Sequence, residues 1–235
     1  MATFVLVHGA WHGGWCWSRV APLLRDAGHQ VHTPTLTGLG EGAAPPTPTV
    51  DLDTHVSDVL ELLASEDLTE VALVGHSYGG MVITAVADRA AGRLAHLVYL
   101  DAFVPQDGQC VLDLVTPEVA ALSREQARTV GDGWLVPALP LEFWGVTDAA
   151  DVEWATPLMR PQPLGTLEQP LGLSGGGAAS LPRTYIGTDH PMLQRFAERA
   201  RAEGGWRSRH LATGHDAMIT KPREVAAMLL EIVGP

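Results

Sequence analysis

The stretch of sequence that decides the fold is Val71-Ala72-Leu73-Val74-Gly75-His76-Ser77-Tyr78-Gly79-Gly80. Four apolar residues run into a Gly-x-Ser-x-Gly turn, and residues 81–87 continue as an amphipathic segment, so the pattern predicts a strand, a sharp turn and a helix. Glycines on both sides of the turn let the strand and the helix pass closely, while Ser77 occupies a strained backbone at the tip. This context favours a nucleophile elbow over an inert glycine-rich turn.

The composition limits the classes of protein to which the chain can belong. Its 235 residues are 46% hydrophobic, which is enough for one buried core in a single domain with an insertion. A formal net charge of -12, without a cluster of lysine or arginine, argues against nucleic acid and anionic membranes as partners. Cys16 and Cys110 lie far apart, which favours free thiols in a reducing compartment. The apolar run at residues 4–7 is too short for a signal peptide or a membrane span, so we expect a cytoplasmic protein.

Strand and helix patterns alternate along most of the chain. The pattern predicts six strands, at residues 3–7, 30–33, 71–74, 94–100, 182–187 and 206–211, of which the apolar runs at 3–7 and 94–100 are expected to be buried. The alternation predicts an α/β fold, with a mostly parallel sheet of about six strands and helices on both faces. Between residues 105 and 180, proline, glycine and aromatic residues dominate and long strands are absent. We therefore expect a core formed by residues 1–104 and 181–235, with residues 105–180 inserted as a cap over the sheet.

A serine nucleophile requires a base, and the chain offers ten histidines. His215 is the strongest candidate, because it lies in a loop directly after the last predicted strand, where the chain order serine, acid, histidine places the base. His76 adjoins Ser77 and is expected to be structural. His8 and His12 are four residues apart, but glycines between and beside them prevent a helix, so we predict no metal site there.

The third member of the triad is a carboxylate that orients the histidine ring and stabilises the imidazolium. Two aspartates follow predicted strands and qualify. Asp101 ends the strand after the nucleophile, and Asp189 follows the strand at residues 182–187. Asp216 adjoins His215 in the sequence, so its carboxylate cannot easily turn back onto that ring.

An oxyanion hole needs two backbone N–H groups aimed at one point. Tyr78, the residue after the nucleophile, supplies one by the geometry of the elbow. The second is expected from Ala10, in the loop after the first strand, with its neighbour Trp11 as the alternative. Aromatic residues are the candidates for lining the substrate pocket, although packing is an equal use for them: Trp11, Trp134, Phe143, Trp144 and, within the cap, Trp154.

Three motifs together resemble a known family. These are Phe4-Val5-Leu6-Val7-His8-Gly9-Ala10-Trp11-His12-Gly13-Gly14-Trp15-Cys16-Trp17, Gly75-His76-Ser77-Tyr78-Gly79-Gly80-Met81 and Gly214-His215-Asp216. They resemble the α/β-hydrolase branch that holds plant methyl esterases, salicylate-binding esterases, hydroxynitrile lyases and bacterial esterases. The resemblance covers nearly the whole chain, more weakly in the insertion. It implies that Ser77 is the nucleophile, that His215 is the base, and that Ala10 and Tyr78 form the oxyanion hole.

The chain departs from this branch at the position of the acid. Plant members carry the acid in the loop that here contains Asp189, but this loop is shortened and shifted. The segment Tyr99-Leu100-Asp101-Ala102 resembles instead the acid-bearing strand end of certain haloalkane dehalogenases. We therefore predict Asp101 as the acid and keep Asp189 as the second candidate.

The predicted function is a serine hydrolase that cleaves a small or medium carboxylic ester, lactone or thioester through an acyl-enzyme. No metal and no organic cofactor are required, and the expected partner is the small-molecule substrate, with a homodimer left open. One alternative is a hydroxynitrile-lyase-like enzyme, but such lyases carry a threonine where this chain has Gly9 and a lysine where it has Asp216. The other alternative is a non-catalytic protein that binds a ligand on the same fold.

Overall fold

The computed structural model describes residues 1–40 and 43–234. Across these residues the chain forms eight strands: β1 (Thr3–Val7), β2 (Gln30–His32), β3 (Val71–Ser77), β4 (Leu94–Ala102), β5 (Leu135–Val136), β6 (Gln162–Pro163), β7 (Arg183–Gly187) and β8 (Trp206–His210). Six of them form one parallel sheet in the order β2-β1-β3-β4-β7-β8, while β5 and β6 form a short antiparallel ribbon. The predicted parallel sheet is confirmed.

Helices connect these strands. In the same described ranges they are α1 (Ala21–Asp26), α2 (Leu52–Ser65), α3 (Gly79–Ala90), α4 (Pro117–Thr129), α5 (Ala149–Ala155), α6 (Gly165–Glu168), α7 (Gly177–Ser180), α8 (Gln194–Ala202), α9 (Ala217–Thr220) and α10 (Pro222–Val233). Short 3-10 turns complete the connections, and one of them, Gly14–Trp17, lies in the aromatic loop after β1. Among the helices described, none is both long enough and apolar enough to cross a membrane.

Successive residues of a strand face opposite sides of the sheet, and the helices divide accordingly. Val5 and Val7 belong to the core cluster that contains the buried faces of α2, α3 and α8. Phe4 and Leu6 belong to the cluster that contains the buried faces of α1, α9 and α10. Because both faces of the sheet are buried, its inner strands appear in the sequence as unbroken apolar runs.

Two strands extend further than their apolar runs predict. β3 continues through the glycine-containing motif to Ser77, and β4 continues past Leu100 to Ala102. These two strands are neighbours in the sheet, where Ser77 pairs with Ala102. The extension therefore brings Ser77 and Asp101 to the same edge of the sheet, at the carboxyl ends of adjacent strands.

Residues 105–180, called the cap segment from here on, hold helices α4 to α7 and the β5–β6 ribbon. Helix α4 begins in the expected way, with Pro117 in its first turn and the Thr116 side chain accepting a hydrogen bond from the Val119 amide. Long strands are absent from this described segment, as its composition predicts.

Candidate active site

Ser77 lies at the tip of a sharp turn between β3 and α3. Its backbone has a positive φ of 53°, a conformation that is strained for a residue with a side chain. The flanking glycines allow this geometry, because a Cβ at Gly75 would lie 2.7 Å from the Gly79 carbonyl oxygen, and a Cβ at Gly79 would lie 2.9 Å from the His8 carbonyl oxygen. The close passage predicted from the motif is therefore present.

Asp101 owes its orientation to an irregularity in β4. The pairing of β3 with β4 shifts register between His76, which faces Leu100, and Ser77, which faces Ala102, so Asp101 is an extra residue on its strand. Its φ of 39° is positive, and the Tyr185 hydroxyl holds the next residue by accepting from the Ala102 amide at 3.1 Å and donating to its carbonyl at 2.9 Å. A bulge of this kind re-aims a side chain beside a functional site.

The re-aimed carboxylate meets His215. The His215 Nδ1–H donates to Asp101 Oδ2 at 2.7 Å, and both side chains are buried. The Thr188 hydroxyl donates to the same oxygen at 2.8 Å. Because the carboxylate accepts from Nδ1, the neutral imidazole keeps its lone pair on Nε2, which is the tautomer that a general base requires.

Asp189, the second candidate for the acid, lies elsewhere. Its carboxylate is 3.0 Å from His210 Nε2, and this pair is at the surface, with side-chain exposures of 60% and 51%. The residue before it, Thr188, is the one that contacts Asp101. The structure therefore brings together Ser77, Asp101 and His215, and leaves Asp189 outside the group.

The Ala10 amide lies in a peptide unit that is fixed from its other end. The carbonyl of that unit, Gly9 O, accepts a hydrogen bond from His8 Nδ1 at 2.8 Å. The Leu36 amide donates to His8 Nε2 at 3.0 Å, so Nε2 is the acceptor and Nδ1 carries the proton. Burial lowers the pKa of His8 to about 3, which keeps the ring in this neutral tautomer. The donor predicted at Ala10 is thereby oriented by His8.

The other predicted donor is the Tyr78 amide, at the N-terminus of α3, where backbone N–H groups are free of helix hydrogen bonds. The Tyr78 side chain is buried, and its hydroxyl donates to His55 Nδ1 at 2.9 Å because His55 Nε2 donates to the Thr37 carbonyl. The Trp11 amide, the alternative to Ala10, donates to Gln162 Oε1 at 3.0 Å. Because this hydrogen bond already occupies the Trp11 N–H, Ala10 is favoured as the second donor.

A cavity of about 210 Å³ opens above Ser77 between the sheet and the cap segment. Its wall is largely apolar, with contributions from the loop after β1, from α4 and from the β5 region. The lining residues are Ala10, Trp11, Ser77, Tyr78, Phe103, Val111, Leu112, Val115, Val119, Leu122, Ser123, Gln126, Val136, Leu139, Phe143, Trp144, Leu167 and Met192.

Three of the four predicted pocket residues line this cavity, namely Trp11, Phe143 and Trp144. Trp134 is not among the lining residues that the structure describes. It ends a turn that starts at Gly131 and precedes β5, so the ribbon presents Val136 to the cavity instead. Trp154 packs away from the cavity, against Arg19 and edge-to-face on Trp15.

A second, much smaller chamber of about 10 Å³, room for about one water molecule, adjoins the nucleophile. Ser77 and His215 both line it, together with Ala10, Trp11, His12, His76 and Trp144. The chamber therefore brings the predicted nucleophile and base to one enclosed space beside the predicted oxyanion donor.

His12 and Asp216 form a buried pair that the sequence did not reveal. His12 donates from Nδ1 to the Ala10 carbonyl at 2.8 Å and from Nε2 to Asp216 Oδ2 at 3.3 Å, so both ring nitrogens carry protons. Burial alone would lower the pKa of His12, but the Asp216 carboxylate outweighs it and the pKa is raised. Burial would raise the pKa of Asp216, yet the His12 charge lowers it to about 2. The two residues form an ion pair.

His76 approaches the same carboxylate at 3.7 Å but is not part of the ion pair. Burial, reinforced by His215, holds its pKa well below the usual range, so the ring is neutral. Its Nε2–H donates to the His215 carbonyl at 3.1 Å. The expectation that His76 is structural agrees with this position, because the residue braces the loop that carries His215.

Within the described part of the chain, two groups of side chains are close enough to share a metal ion, and both contain His215: one with His76 and Asp216, the other with Asp101 and His190. His215 Nδ1 already donates to Asp101, so a metal bound at Nδ1 or at that carboxylate oxygen would displace the pair that orients the base. We assign no cofactor to these residues.

Comparison with known proteins adds to this geometry. A model described as "Alpha/beta hydrolase family" matches residues 4–228. A carbendazim hydrolyzing esterase from Nocardioides sp. (strain SG-4G) is 45% identical over 239 residues, which cover 97% of this chain and 98% of that protein. Methylesterase 18 from Arabidopsis thaliana is 28% identical and is matched over 95% of its length. The solved structure of an extracellular alpha/beta-hydrolase from a Paenibacillus species has a TM-score of 0.83 at 27% identity, over 98% of both chains.

Proposed function

Because this chain belongs to the alpha/beta hydrolase family, we propose that it is a carboxylic ester hydrolase that works through an acyl-enzyme on Ser77. The observation that carries this proposal is the 2.7 Å hydrogen bond from His215 Nδ1 to Asp101, beside a chamber that His215 shares with Ser77. An esterase 45% identical over nearly the whole chain supports the same reaction class.

In the first half of the reaction, Ser77 Oγ attacks the ester carbonyl carbon and its proton passes to His215 Nε2. The carbonyl oxygen gains the negative charge and accepts hydrogen bonds from the Ala10 and Tyr78 amides. Asp101 stabilises the imidazolium. Collapse of the tetrahedral intermediate breaks the carbon–oxygen bond to the alcohol, which takes the proton from His215 and leaves the acyl group on Ser77.

In the second half, water takes the place of the alcohol. It loses a proton to His215 as its oxygen attacks the acyl carbon, and the same two amides hold the second oxyanion. The intermediate then breaks its bond to Ser77 Oγ, which recovers the proton from His215 and releases the carboxylic acid. Both the departing alcohol and the incoming water must reach His215, which lines the small chamber.

The two cavities have different sizes and therefore different uses. The apolar cavity of about 210 Å³ suits a hydrophobic acyl group, whereas the chamber of about 10 Å³ beside His215 admits only the smallest groups. We infer a preference for short-alcohol esters of apolar or aromatic acids. Carbendazim enters the substrate panel because it is the compound named for the 45% identical relative.

Gly9 bears on the alternative lyase reaction. A Cβ at this position would lie 2.9 Å from His76 Nδ1 and 2.9 Å from Ser77 Cβ. A threonine, as in the hydroxynitrile lyases that the sequence resembles, would therefore displace the nucleophile or the histidine beside it. This crowding favours ester hydrolysis over the lyase alternative.

The nucleophile is tested by a fluorophosphonate probe, which is expected to label folded wild-type protein at Ser77 and to leave Ser77→Ala unlabelled. Absence of labelling in the folded wild type would support the non-catalytic alternative. The substrate preference is tested with methyl, isopropyl and benzyl esters of one aromatic acid. We expect kcat/KM to fall by roughly 10-fold or more from methyl to benzyl, because one enlarged group must enter the small chamber. Equal values for the three esters would contradict the assignment of the chambers.

A further inference from the structure

Trp11 is held by the cap segment at three points of its structure. Its amide donates to Gln162 Oε1 at 3.0 Å, its carbonyl accepts from the Arg160 amide at 2.9 Å, and its indole N–H donates to the Val136 carbonyl at 3.0 Å. Trp11 also has a positive φ of 64°. A bulky residue keeps such a backbone only where its surroundings enforce it, and here the partners that enforce it belong to the cap segment.

Of these three partners of Trp11, Gln162 contributes a side-chain atom, whereas Arg160 and Val136 contribute backbone atoms. Gln162 is fully buried in β6. Its Nε2 donates to Thr166 Oγ1 at 2.6 Å, and that hydroxyl donates to the Pro163 carbonyl at 2.6 Å. Since Thr166 accepts from the nitrogen of the amide, the oxygen must face Trp11. The amide of Gln162 therefore has a fixed orientation.

The residue next to Trp11 is Ala10, the proposed oxyanion donor. On one side His8 fixes the Gly9–Ala10 peptide, and on the other His12 donates to the Ala10 carbonyl. The peptide that follows, between Ala10 and Trp11, ends in the N–H that Gln162 accepts. Without this acceptor, Trp11 can relax from its left-handed backbone, and the relaxation would rotate the adjoining peptides away from Ser77.

We propose that Gln162 is a positioning residue for the oxyanion hole, through which the cap segment, together with His8, holds the Ala10 N–H in its direction. The inference rests on the proposed ester hydrolysis, since the oxyanion is the group that it serves. It gives the cap segment a role in transition-state stabilisation, beyond enclosing the acyl group. Gln162 itself touches neither the substrate nor the reacting atoms.

Two substitutions separate this role from simple stabilisation. Gln162→Met has a similar size but lacks an acceptor, whereas Gln162→Glu keeps an oxygen for the Trp11 amide and can accept from the Thr166 hydroxyl. We expect Gln162→Met to lower kcat for a methyl ester by roughly 10- to 100-fold, less than the loss of a whole oxyanion donor, with KM changed by less than about 3-fold. Gln162→Glu is expected to restore most of kcat.

Inhibition by a transition-state mimic separates the two roles, because its inhibition constant would not change if Gln162 only stabilised the fold. An arylboronic acid forms a tetrahedral adduct on Ser77 that places an oxygen in the oxyanion hole, so its inhibition constant should rise in Gln162→Met by the same factor as kcat falls. Thr184→Val is the control, because it removes a buried hydrogen bond to His96 in the sheet, at 2.9 Å, and should lower Tm while leaving both constants unchanged.

The outcomes distinguish this inference from the function on which it rests. If the wild type shows no esterase activity and no fluorophosphonate labelling, the proposed function fails. If the wild type is active and Gln162→Met keeps its kcat and its boronate affinity, only the role of Gln162 is overturned. Equal losses in Gln162→Met, Gln162→Glu and Thr184→Val would also overturn it, since the effect would then follow stability. If Gln162→Met does not fold, Thr166→Val, which removes the hydroxyl that orients Gln162 together with its bond to the Pro163 carbonyl, must still lower kcat by roughly 3- to 10-fold, and unchanged kcat would reject the proposal.

Discussion

The end of β4 and the loop after β7 each carry an aspartate just beyond a parallel strand, yet only one of these aspartates reaches the histidine. Asp101 is buried on a bulge with a positive φ and bonds His215 at 2.7 Å. Asp189 is exposed and pairs with His210 at the surface. Proximity to a strand end is thus a poor guide to which carboxylate serves a base. The bulge in β4 turns the Asp101 side chain inward, and this determines which carboxylate contacts His215.

Asp101→Asn tests most strongly whether Asp101, rather than Asp189, serves His215. An asparagine can present its NH₂ group to His215 Nδ1, which favours the wrong tautomer and leaves the imidazolium without a counter-charge. We expect kcat for a methyl ester to fall by roughly 10⁴-fold, with little change in Tm. Steady-state kinetics and a thermal melt check this, and a loss of less than about 10-fold would contradict the role of Asp101.

A third carboxylate, Asp216, sharpens the comparison because it adjoins His215 in sequence and still bonds another residue, His12. Asp216→Asn leaves the buried His12 imidazolium without its counter-charge. We expect the free energy of unfolding to fall by about 3 kcal/mol, as is typical when one partner of a buried pair is removed. Denaturant titration of the wild type and of Asp216→Asn, at several values of pH, measures the difference.

The difference in the free energy of unfolding between the wild type and Asp216→Asn should fall at both low and high pH. The pKa of Asp216 is lowered to about 2 from 3.8, so its contribution is present above about pH 4 and is lost as pH falls toward 2. The pKa of His12 is raised above 6.5, so its contribution is present below pH 6.5 and is lost as pH rises through the raised value. The two proteins should therefore differ most in stability between about pH 4 and pH 6.5. A difference that is constant from pH 3 to pH 9 would reject the ion pair.

Thr188 connects the two regions, since it belongs to the loop after β7 and donates to Asp101 at 2.8 Å. Thr188→Val removes this charge-assisted hydrogen bond and should lower kcat by roughly 10-fold. Thr188→Ser keeps a hydroxyl and is the matched control, for which we expect nearly full activity. If valine and serine behave alike, the loop after β7 contributes shape alone to the site.

The sequence predicts the parts of this site that depend on local pattern. An apolar run, two glycines and a serine are enough to predict the elbow, and a histidine after the last strand is enough to predict the base. The bulge at Asp101 is different, because it arises from how β4 pairs with β3 rather than from any pattern within β4. The apolar run of β4 predicts a strand that ends one residue before Asp101, and it carries no information about the register shift.

Local sequence patterns also do not predict contacts between segments that lie far apart in the chain. His12 and Asp216 are 204 positions apart, and Trp11 and Gln162 are 151 apart, so nothing in either local sequence indicates the partner. The cap segment adds a further difficulty, since its ribbon is only two residues long on each side and has no usable periodicity. The sequence therefore predicts Trp134 as a pocket residue, whereas Val136, two residues later, lines the cavity.

The smallest expected effect belongs to Asp189→Asn, and it completes the comparison with Asp101→Asn because the chemical change is identical. The Asp189 and His210 side chains are 60% and 51% exposed, so water already solvates both groups and their interaction contributes about 0–1 kcal/mol to stability. We expect kcat within about 2-fold of the wild type and a small loss of stability that disappears in 1 M salt, where surface charges are screened. Kinetics and melts at low and high salt measure both. A fall in kcat of several hundred-fold, insensitive to salt, would mean that Asp189 reaches His215 during turnover, and the bulge at Asp101 would then not be what selects the acid.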